Sequence, residues 1–297
     1  MNRTSDILGL PKGTDTLLRD LVHDRTGMFF DSTKMDMLTD KLSPLVVKRG
    51  FNSFLDYYYF LKYDEQSGPE WASVINAISV GETYFWREID QVRALTQTIL
   101  PHWLSSHPGE TFRIWSAACA SGEEPLTIAM ALDEAGWFER ASIEIHASDA
   151  SSAALEKAAK GLYRERSFRS LSTERRAKYF FQDGPSTWRV QPALHSRVQY
   201  SLANLMNAGE IAGLASAEVI FCRNVFIYFS ETAISRVVRY FSKFMPTPAY
   251  LFVGSSESLM RITAHFALED IDNAFVYLKQ PSAAGIDGVE LQSGGLT

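Results

Sequence analysis

Cysteine is scarce in this chain. Cys119 and Cys222 are the two among 297 residues, far apart and without a Cys-x-x-Cys pair. That excludes a disulfide scaffold, and both read as reduced, small, buried residues. The six histidines are scattered and show none of the paired spacings that zinc sites use, which disfavours a metal centre. No apolar run approaches the ~18 residues of a membrane span. Met1 to Asp6 lacks the apolar core of a signal peptide, so the expectation is a cytoplasmic protein that is not membrane-inserted. Positive charge is also short: 29 Lys and Arg stand against 35 Asp and Glu, which disfavours nucleic acid as a partner of the whole chain. Neither a Gly-x-Gly-x-x-Gly nor the Lys-Ser/Thr of a phosphate loop is found where one would be needed, after the first strand.

What is present is a globular composition, 46% hydrophobic and 22% charged, at a length that accommodates two domains. Residues 14 to 80 read as helices. Leu17, Leu18, Leu21 and Val22 form one stripe, and Met35, Leu38, Leu42, Leu45 and Val46 form another that ends at Gly50. An aromatic-rich third helix spans Phe51 to Leu61, opened by Asn52 or Ser53 as cap. Gly68-Pro69 is a break, followed by a fourth stripe of Trp71, Val74, Ile75 and Ile78. After about residue 110 the pattern changes. Phe112-Arg113-Ile114-Trp115 alternates as a strand, a helix runs from Glu123 to about Gly136, and Ile143 to Asp149 is a second strand before an alanine-rich helix up to Gly161. Val219 to Cys222 and Tyr250 to Gly254 read as fully buried strands separated by the helix 231–244. Strands alternating with helices imply a parallel sheet covered on both faces. The tail beyond Lys279, rich in Gly, Ser and Ala, reads as disordered.

Charge is uneven. Residues 157–197 hold ten Lys or Arg against three Asp or Glu, whereas residues 1–90 hold ten basic and fourteen acidic. The basic stretch is either a solvated helical surface or a docking surface for an acidic partner.

In an open parallel sheet, ligands sit beyond the carboxyl ends of the strands. The loop there, Ser116 to Pro125, is built of small residues and closes on Glu123 and Glu124. Two carboxylates would repel a pyrophosphate and suit a cationic ligand, though Glu in a first helical turn also complements the helix dipole. Asp149 at the tip of the second strand occupies the place where Rossmann-like domains hold ribose hydroxyls, or serves as a helix N-cap. Together Glu123 and Asp149 outline an adenosyl pocket.

The segment Trp115 to Pro125 resembles the cofactor loop of the chemotaxis-receptor (protein-glutamate) O-methyltransferase family, the CheR type. Similar too are Thr83 to Glu88, Ala147-Ser148-Asp149, Asn204-Leu205, Ile220 to Phe229 and Ser255 to Leu259, in family order from about residue 15 to 280. The resemblance implies an α/β fold: a Rossmann-like class I methyltransferase domain over 91–280, with an N-terminal all-α domain plus linker over 1–90. A small inserted β-subdomain is implied at about 162–197, with the disordered tail at 281–297. It implies S-adenosyl-L-methionine as cofactor, S-adenosyl-L-homocysteine as product, no metal, and methyl transfer to glutamate carboxylates on chemoreceptor cytoplasmic helices.

By motif match Thr83 and Arg87 would contact the cofactor from the linker, Arg87 on its carboxylate. Glu123 would face the aminoacyl or sulfonium side and Asp149 the ribose, with Asn204 and Leu205 flanking the adenine. Arg223 and Asn224 would close the floor beneath the methyl, with Tyr228 near the acceptor; these three form the expected catalytic group. Phe85 and Trp86 read as packing, and Glu257 as a cap. A carboxylate acceptor and a sulfonium methyl need no general base, so the lack of a Ser-His-Asp or Cys-His arrangement fits.

The chain also departs from the family. Gly81 stands where Asn is usual, removing a polar contact. Pro44, Leu45 and Val47 occupy places where an arginine-rich docking helix is expected, Lys41 remains, and Pro44 is a candidate kink. The loop around Phe181 to Trp188 is short for a receptor-tether site. Docking is therefore expected on the basic segment, at Arg164, Arg166, Arg169, Arg175 and Arg176. The partner is a chemoreceptor cytoplasmic domain or another acidic helical protein. The alternatives are a family member acting on another acidic protein or carboxylate, and a non-catalytic S-adenosylmethionine-binding regulator.

Overall fold

The computed structural model describes residues 13–279; the tail expected over 281–297 lies outside the described residues. Four helices come first: α1 (Thr14–Thr26), α2 (Met35–Lys48), α3 (Phe54–Tyr63) and α4 (Gly68–Ile78). Their stripes meet in one core in which Leu18, Val22, Leu38, Leu42, Phe54, Tyr57, Val74 and Ile78 are all buried. Each such side chain contributes about 1.5–3 kcal/mol by leaving water. Ser53 caps α3 by accepting from the Asp56 amide. Buried Glu70 accepts from the Tyr57 hydroxyl at 2.8 Å and from Arg49 Nε at 2.6 Å, pinning α4 to α3 and to the end of α2.

Two prolines were singled out in the sequence. Pro44 does not restart the helix: α2 runs through it. A proline has no N–H for the carbonyl four residues back, which here is Asp40's; the Ser43 hydroxyl donates to the carbonyls of Thr39 (2.8 Å) and Asp40 (3.2 Å). Gly68-Pro69 is a helix start rather than a break: the proline lies in the first turn of α4, where a missing N–H costs nothing.

A linker leads into α5 (Ile89–Ala94), a π-helical turn (Leu95–Ile99) and α6 (Leu100–Ser106). The remaining elements are β1 (Phe112–Ala117), α7 (Glu123–Glu134), β2 (Ile143–Asp149), α8 (Ser152–Lys160), β3 (Leu162–Arg164), α9 (Thr173–Tyr179), β4 (Phe180–Gln182), β5 (Thr187–Val190), α10 (Pro192–His195), β6 (Val198–Leu202), α11 (Ala208–Ile211), β7 (Val219–Phe221), α12 (Glu231–Phe244), β8 (Ala249–Phe252), β9 (Phe266–Ile271) and β10 (Ala274–Lys279). The main sheet has seven strands in the order β6-β2-β1-β7-β8-β10-β9. Its first five pair in parallel; β10 runs antiparallel to β8 and to β9. The sheet is thus mixed, not purely parallel as the alternation of elements implied. Its last two strands form a hairpin around Asp272 and Asn273, both at positive φ (53° and 64°), the backbone that a two-residue hairpin turn demands.

Strands β3, β5 and β4 form a separate antiparallel sheet of three strands within residues 162–190. Both faces of the main sheet are covered: Phe112, Ile114 and Phe221 belong to one buried cluster, Trp115, Ile220 and Leu251 to another. Among the described residues, no helix is long and apolar enough to cross a membrane.

The Ser43 compensation is testable. Ser43→Ala should lower stability to denaturant by about 1 kcal/mol, the ordinary value of one hydrogen bond, and leave ligand affinity at the distant cleft unchanged. Unchanged stability would mean that the hydroxyl does nothing for the proline-containing turn.

Candidate active site

The carboxyl ends of β1, β2, β6 and β7 meet the last turns of α1 and α4 around a cleft of about 1000 Å³, counting the solvent at its mouth. The loop after β1 puts Ala118 (φ 59°), Ala120 (φ 49°) and Gly122 (φ 92°) in the left-handed region. Gly122 is required there: a Cβ would stand 2.9 Å from the Tyr200 hydroxyl and 3.2 Å from that of Tyr163. The two alanines bear the cost of positive φ because the loop is fastened to the end of β2. The Cys119 amide donates to Ser148 O and the Ala120 amide to Asp149 Oδ2, both at 2.9 Å. The second carboxylate oxygen of Asp149 accepts from the Ser151 amide at 2.8 Å. Burial pushes the Asp149 carboxyl up from its ordinary 3.8, and those amides pull it partly back.

A buried ion pair ties the far side of the cleft. Arg223, whose side chain is 2% exposed, donates from Nε to Glu124 Oε2 at 2.6 Å. Ser116 Oγ donates to the other Glu124 oxygen at 2.6 Å. Arg223 Nη1 donates to the carbonyls of Arg87 (3.1 Å) and Glu88 (3.3 Å) and to Gln91 Oε1 (3.2 Å). The linker is thereby held at the end of β7, with Trp86 and Glu88 at positive φ. Phe85 buries its ring against Tyr163, Phe168 and Phe180 of the inserted subdomain, a packing role.

Glu257 does more than cap its own segment. Its carboxylate accepts from the amides of Gly254 (2.6 Å), Asn224 (2.8 Å) and Ile227 (3.2 Å), joining the loops after β7 and β8. Asn224 is held at φ 59°, and a Cβ on Gly254 would stand 2.5 Å from its Nδ2, so that position must be glycine. The sequence signal was the match of Ser255 to Leu259; the cross-loop role was not readable from it.

Of the residues expected at the site, Thr83, Arg87, Asp149, Asn204, Leu205, Arg223, Asn224 and Tyr228 all line this cleft. Glu123 does not. It is buried, and its carboxylate accepts from Ser121 Oγ (2.7 Å) and Ser167 Oγ (2.9 Å), away from the lining. The carboxylate in the wall is Glu124's. Asn204 is bonded at both ends of its amide, Nδ2 to the Arg25 carbonyl of α1 (2.8 Å) and Oδ1 from the Met206 amide (3.0 Å). Arg87 is loosely held by comparison: its nearest carboxylate, Glu88, is at 3.9 Å, and Nη1 reaches the Glu82 carbonyl at 3.4 Å. A Cβ at Gly81 would meet nothing within 4 Å, so that glycine is not imposed by packing. Among the described residues, no group of three or more His, Cys, Asp and Glu could hold a metal ion.

Ion pairs engage five of the ten Lys and Arg in the basic docking surface expected on residues 157–197. Arg169 pairs with Glu82, Arg175 with Glu134, Arg176 with Glu165, Lys178 with Asp133 and Arg189 with Asp183. Arg175 and Arg176 also lie over the rings of Trp86 and Trp188. Lys41 is likewise engaged, donating to the carbonyls of Ala77 and Ile78 at the end of α4.

Comparison with known proteins follows the same division of the chain. Residues 16–79 match the family model described as "CheR methyltransferase, all-alpha domain", and residues 81–275 that described as "CheR methyltransferase, SAM binding domain". Chemotaxis protein methyltransferase 2 of Vibrio cholerae is 35% identical over 263 residues, covering 88% of this chain and 91% of that one. Chemotaxis protein methyltransferase 1 of Pseudomonas aeruginosa is 32% identical, covering 88% and 96%. The chemotaxis protein methyltransferase of Escherichia coli is 31% identical, covering 84% and 85%.

The buried Glu123 makes a test in pH. Burial raises its carboxyl above the ordinary 4.5, so its favourable contribution is complete below the unfolded value and is lost as pH rises through the folded one. Glu123→Gln removes that loss, and the two serine hydroxyls can reorient to an amide. Thermal melts of the ligand-free protein should coincide near about pH 4, with the variant gaining over wild type towards about pH 8. A wild type that stays the more stable at the higher pH would show that a firm ionic partner holds Glu123.

Proposed function

This chain belongs to the CheR methyltransferase family and is an S-adenosylmethionine-dependent methyltransferase of chemotaxis, and from that premise we propose that it esterifies glutamate side chains on chemoreceptor cytoplasmic helices. The observation that carries the proposal is the composition of the cleft wall. Three carboxylates, Asp149, Glu124 and Glu82, and one loosely held guanidinium, Arg87, line the same space. A ligand bearing sulfonium, amino, carboxylate and ribose groups fits such a wall better than a pyrophosphate does.

In this reading Asp149 takes the ribose hydroxyls. Each of its oxygens accepts one backbone amide, which fixes its orientation and leaves acceptor capacity for the ligand. Arg87 turns its guanidinium to the carboxylate of the ligand's methionine moiety, since no short ion pair competes for it. Thr83 lies beside it on the linker. Leu205 and Asn204 flank the adenine, Asn204 as a fixed wall because its amide is already bonded. Glu123 supports the loop from behind. Arg223 holds the linker rather than the methyl, which leaves Asn224 and Tyr228 beside the acceptor.

When bound, the cofactor supplies a methyl already activated on sulfur. A glutamate carboxylate is a nucleophile at neutral pH, so the protein's own residues need only orient it in line and exclude water. Met28 and Phe229, joined by a β-bridge, contribute to that enclosure from the two domains.

A second reading keeps the chemistry and changes the acceptor to another acidic protein. The observation favouring it is the engagement of Lys41 and of the basic segment in internal contacts.

The test is incubation with tritiated S-adenosylmethionine and receptor-containing membranes, followed by alkali-labile methanol release. Labelled methanol from receptor bands supports the first reading, and the same release from another protein supports the second. Alkali-stable label, or none, overturns both. In the same assay Arg87→Ala should raise the KM for the cofactor by about 10- to 100-fold, as for a lost charge-assisted hydrogen bond of about 1.5–3 kcal/mol, with little change in melting temperature.

A further inference from the structure

The helical domain reaches the catalytic domain through a few polar contacts, and one falls on the turn directly after Asp149. Asn76, in the last turn of α4, accepts on Oδ1 from Ser151 Oγ (2.8 Å) and from the Ala153 amide (3.2 Å). Its Nδ2 donates to Ser152 Oγ at 3.1 Å. Ser151 is the N-cap of α8, accepting from the Ala154 amide, and its own amide donates to Asp149 Oδ1. Asn76 therefore completes, from the other domain, the cap of the helix whose first residues fix the Asp149 carboxylate. Its helix neighbours Ile75 and Ile78 line the cleft. One turn of chain thus serves both the docking of the two domains and the orientation of the residue at the tip of β2.

We propose that Asn76 is a positioning residue for cofactor binding: it orients Asp149 through Ser151, and it couples occupancy of the ribose end of the cleft to docking of the helical domain. The proposal rests on the reading that Asp149 holds the ribose. An unanchored Ser151 leaves Asp149 with one firm amide bond, from Ala120, in place of two. Coupling is reciprocal, so a ligand that holds Asp149 in place must also hold α4 against α8. The polar contact between His23 and Ser230, 2.7 Å, joins the same two domains at another point and provides the control.

The experiment uses the full chain with S-adenosylhomocysteine as probe. Calorimetry on Asn76→Ala should show the dissociation constant rising about five- to tenfold, the effect of one lost hydrogen bond or a little more. In turnover assays the KM for S-adenosylmethionine should rise with it, while kcat changes less than about twofold, as expected where binding rather than chemistry is lost. Amide hydrogen exchange over residues 68–78 should slow on adding the probe to wild type, and slow much less in the variant. His23→Ala should keep wild-type affinity and the wild-type exchange response. Ser152→Ala, which loosens the same contact from the other domain, gives a milder loss and serves if the Asn76 variant folds poorly.

Wild-type affinity in both Asn76→Ala and Ser152→Ala overturns the proposal while leaving the cofactor site standing. An equal loss in His23→Ala also overturns it, because general domain docking would then suffice. A wild type that does not bind the probe fails the reading of the cleft itself.

Discussion

The arrangement of the site depends on one buried charge. Arg223 has its guanidinium almost wholly out of water, and a buried arginine is tolerable only if its charge is matched and its N–H groups are bonded. Glu124 supplies the charge, and Ser116 satisfies that carboxylate's other oxygen. The carbonyls of Arg87 and Glu88, with Gln91, supply further acceptors. Four separate pieces of chain are drawn to one point: the ends of β1 and β7, the first turn of α7, and the linker. The positive φ values at Trp86 and Glu88 follow from this, since the linker must bend sharply to present two successive carbonyls. The Arg87 side chain is left in the cleft as a consequence.

A second level of organisation comes from the helical domain, which is wall as well as neighbour. Thr26, Met28, Ile75 and Ile78 close one side of the cleft, and Asn76 and the Arg25 carbonyl bond to segments that carry expected cofactor contacts. Domain docking and the cleft wall therefore share segments of chain. Glu257 performs a similar service beyond β7 and β8, where a single carboxylate gathers three amides from two loops. The site is rigid mainly where backbone donors converge on carboxylates.

Four of the five parallel strands were legible, β7 and β8 above all, because they are buried on both faces and read as continuous apolar runs; the edge strand β6, mostly exposed, carried no such pattern. The hairpin β9–β10 was missed because its strands are half exposed and the Asp272-Asn273 turn lacks glycine. Glu123 and Glu124 show the limit of a motif. Adjacent residues on a helix point about 100° apart, and which one faces the cleft is decided by Ser121 and by Ser167 in a distant segment. The ion pairs within the basic run at 157–197 were not legible in the sequence, since Glu134, Asp133 and Glu82 that pair with it come from elsewhere in the chain. Asn76 carried no signal, because an asparagine near a helix end is commonplace until its partners are seen.

The claim that the Arg223–Glu124 pair organises the linker and the cleft is tested most directly by a double-mutant cycle. Arg223→Met, Glu124→Leu and the double variant would be compared for stability in denaturant and for S-adenosylhomocysteine affinity. Each single change should cost about 3–5 kcal/mol, because it strands a buried charge. The double variant should recover most of that stability yet bind the ligand poorly, because no donor remains for the Arg87 and Glu88 carbonyls. Additive losses of stability, or a double variant with wild-type affinity, would contradict the account.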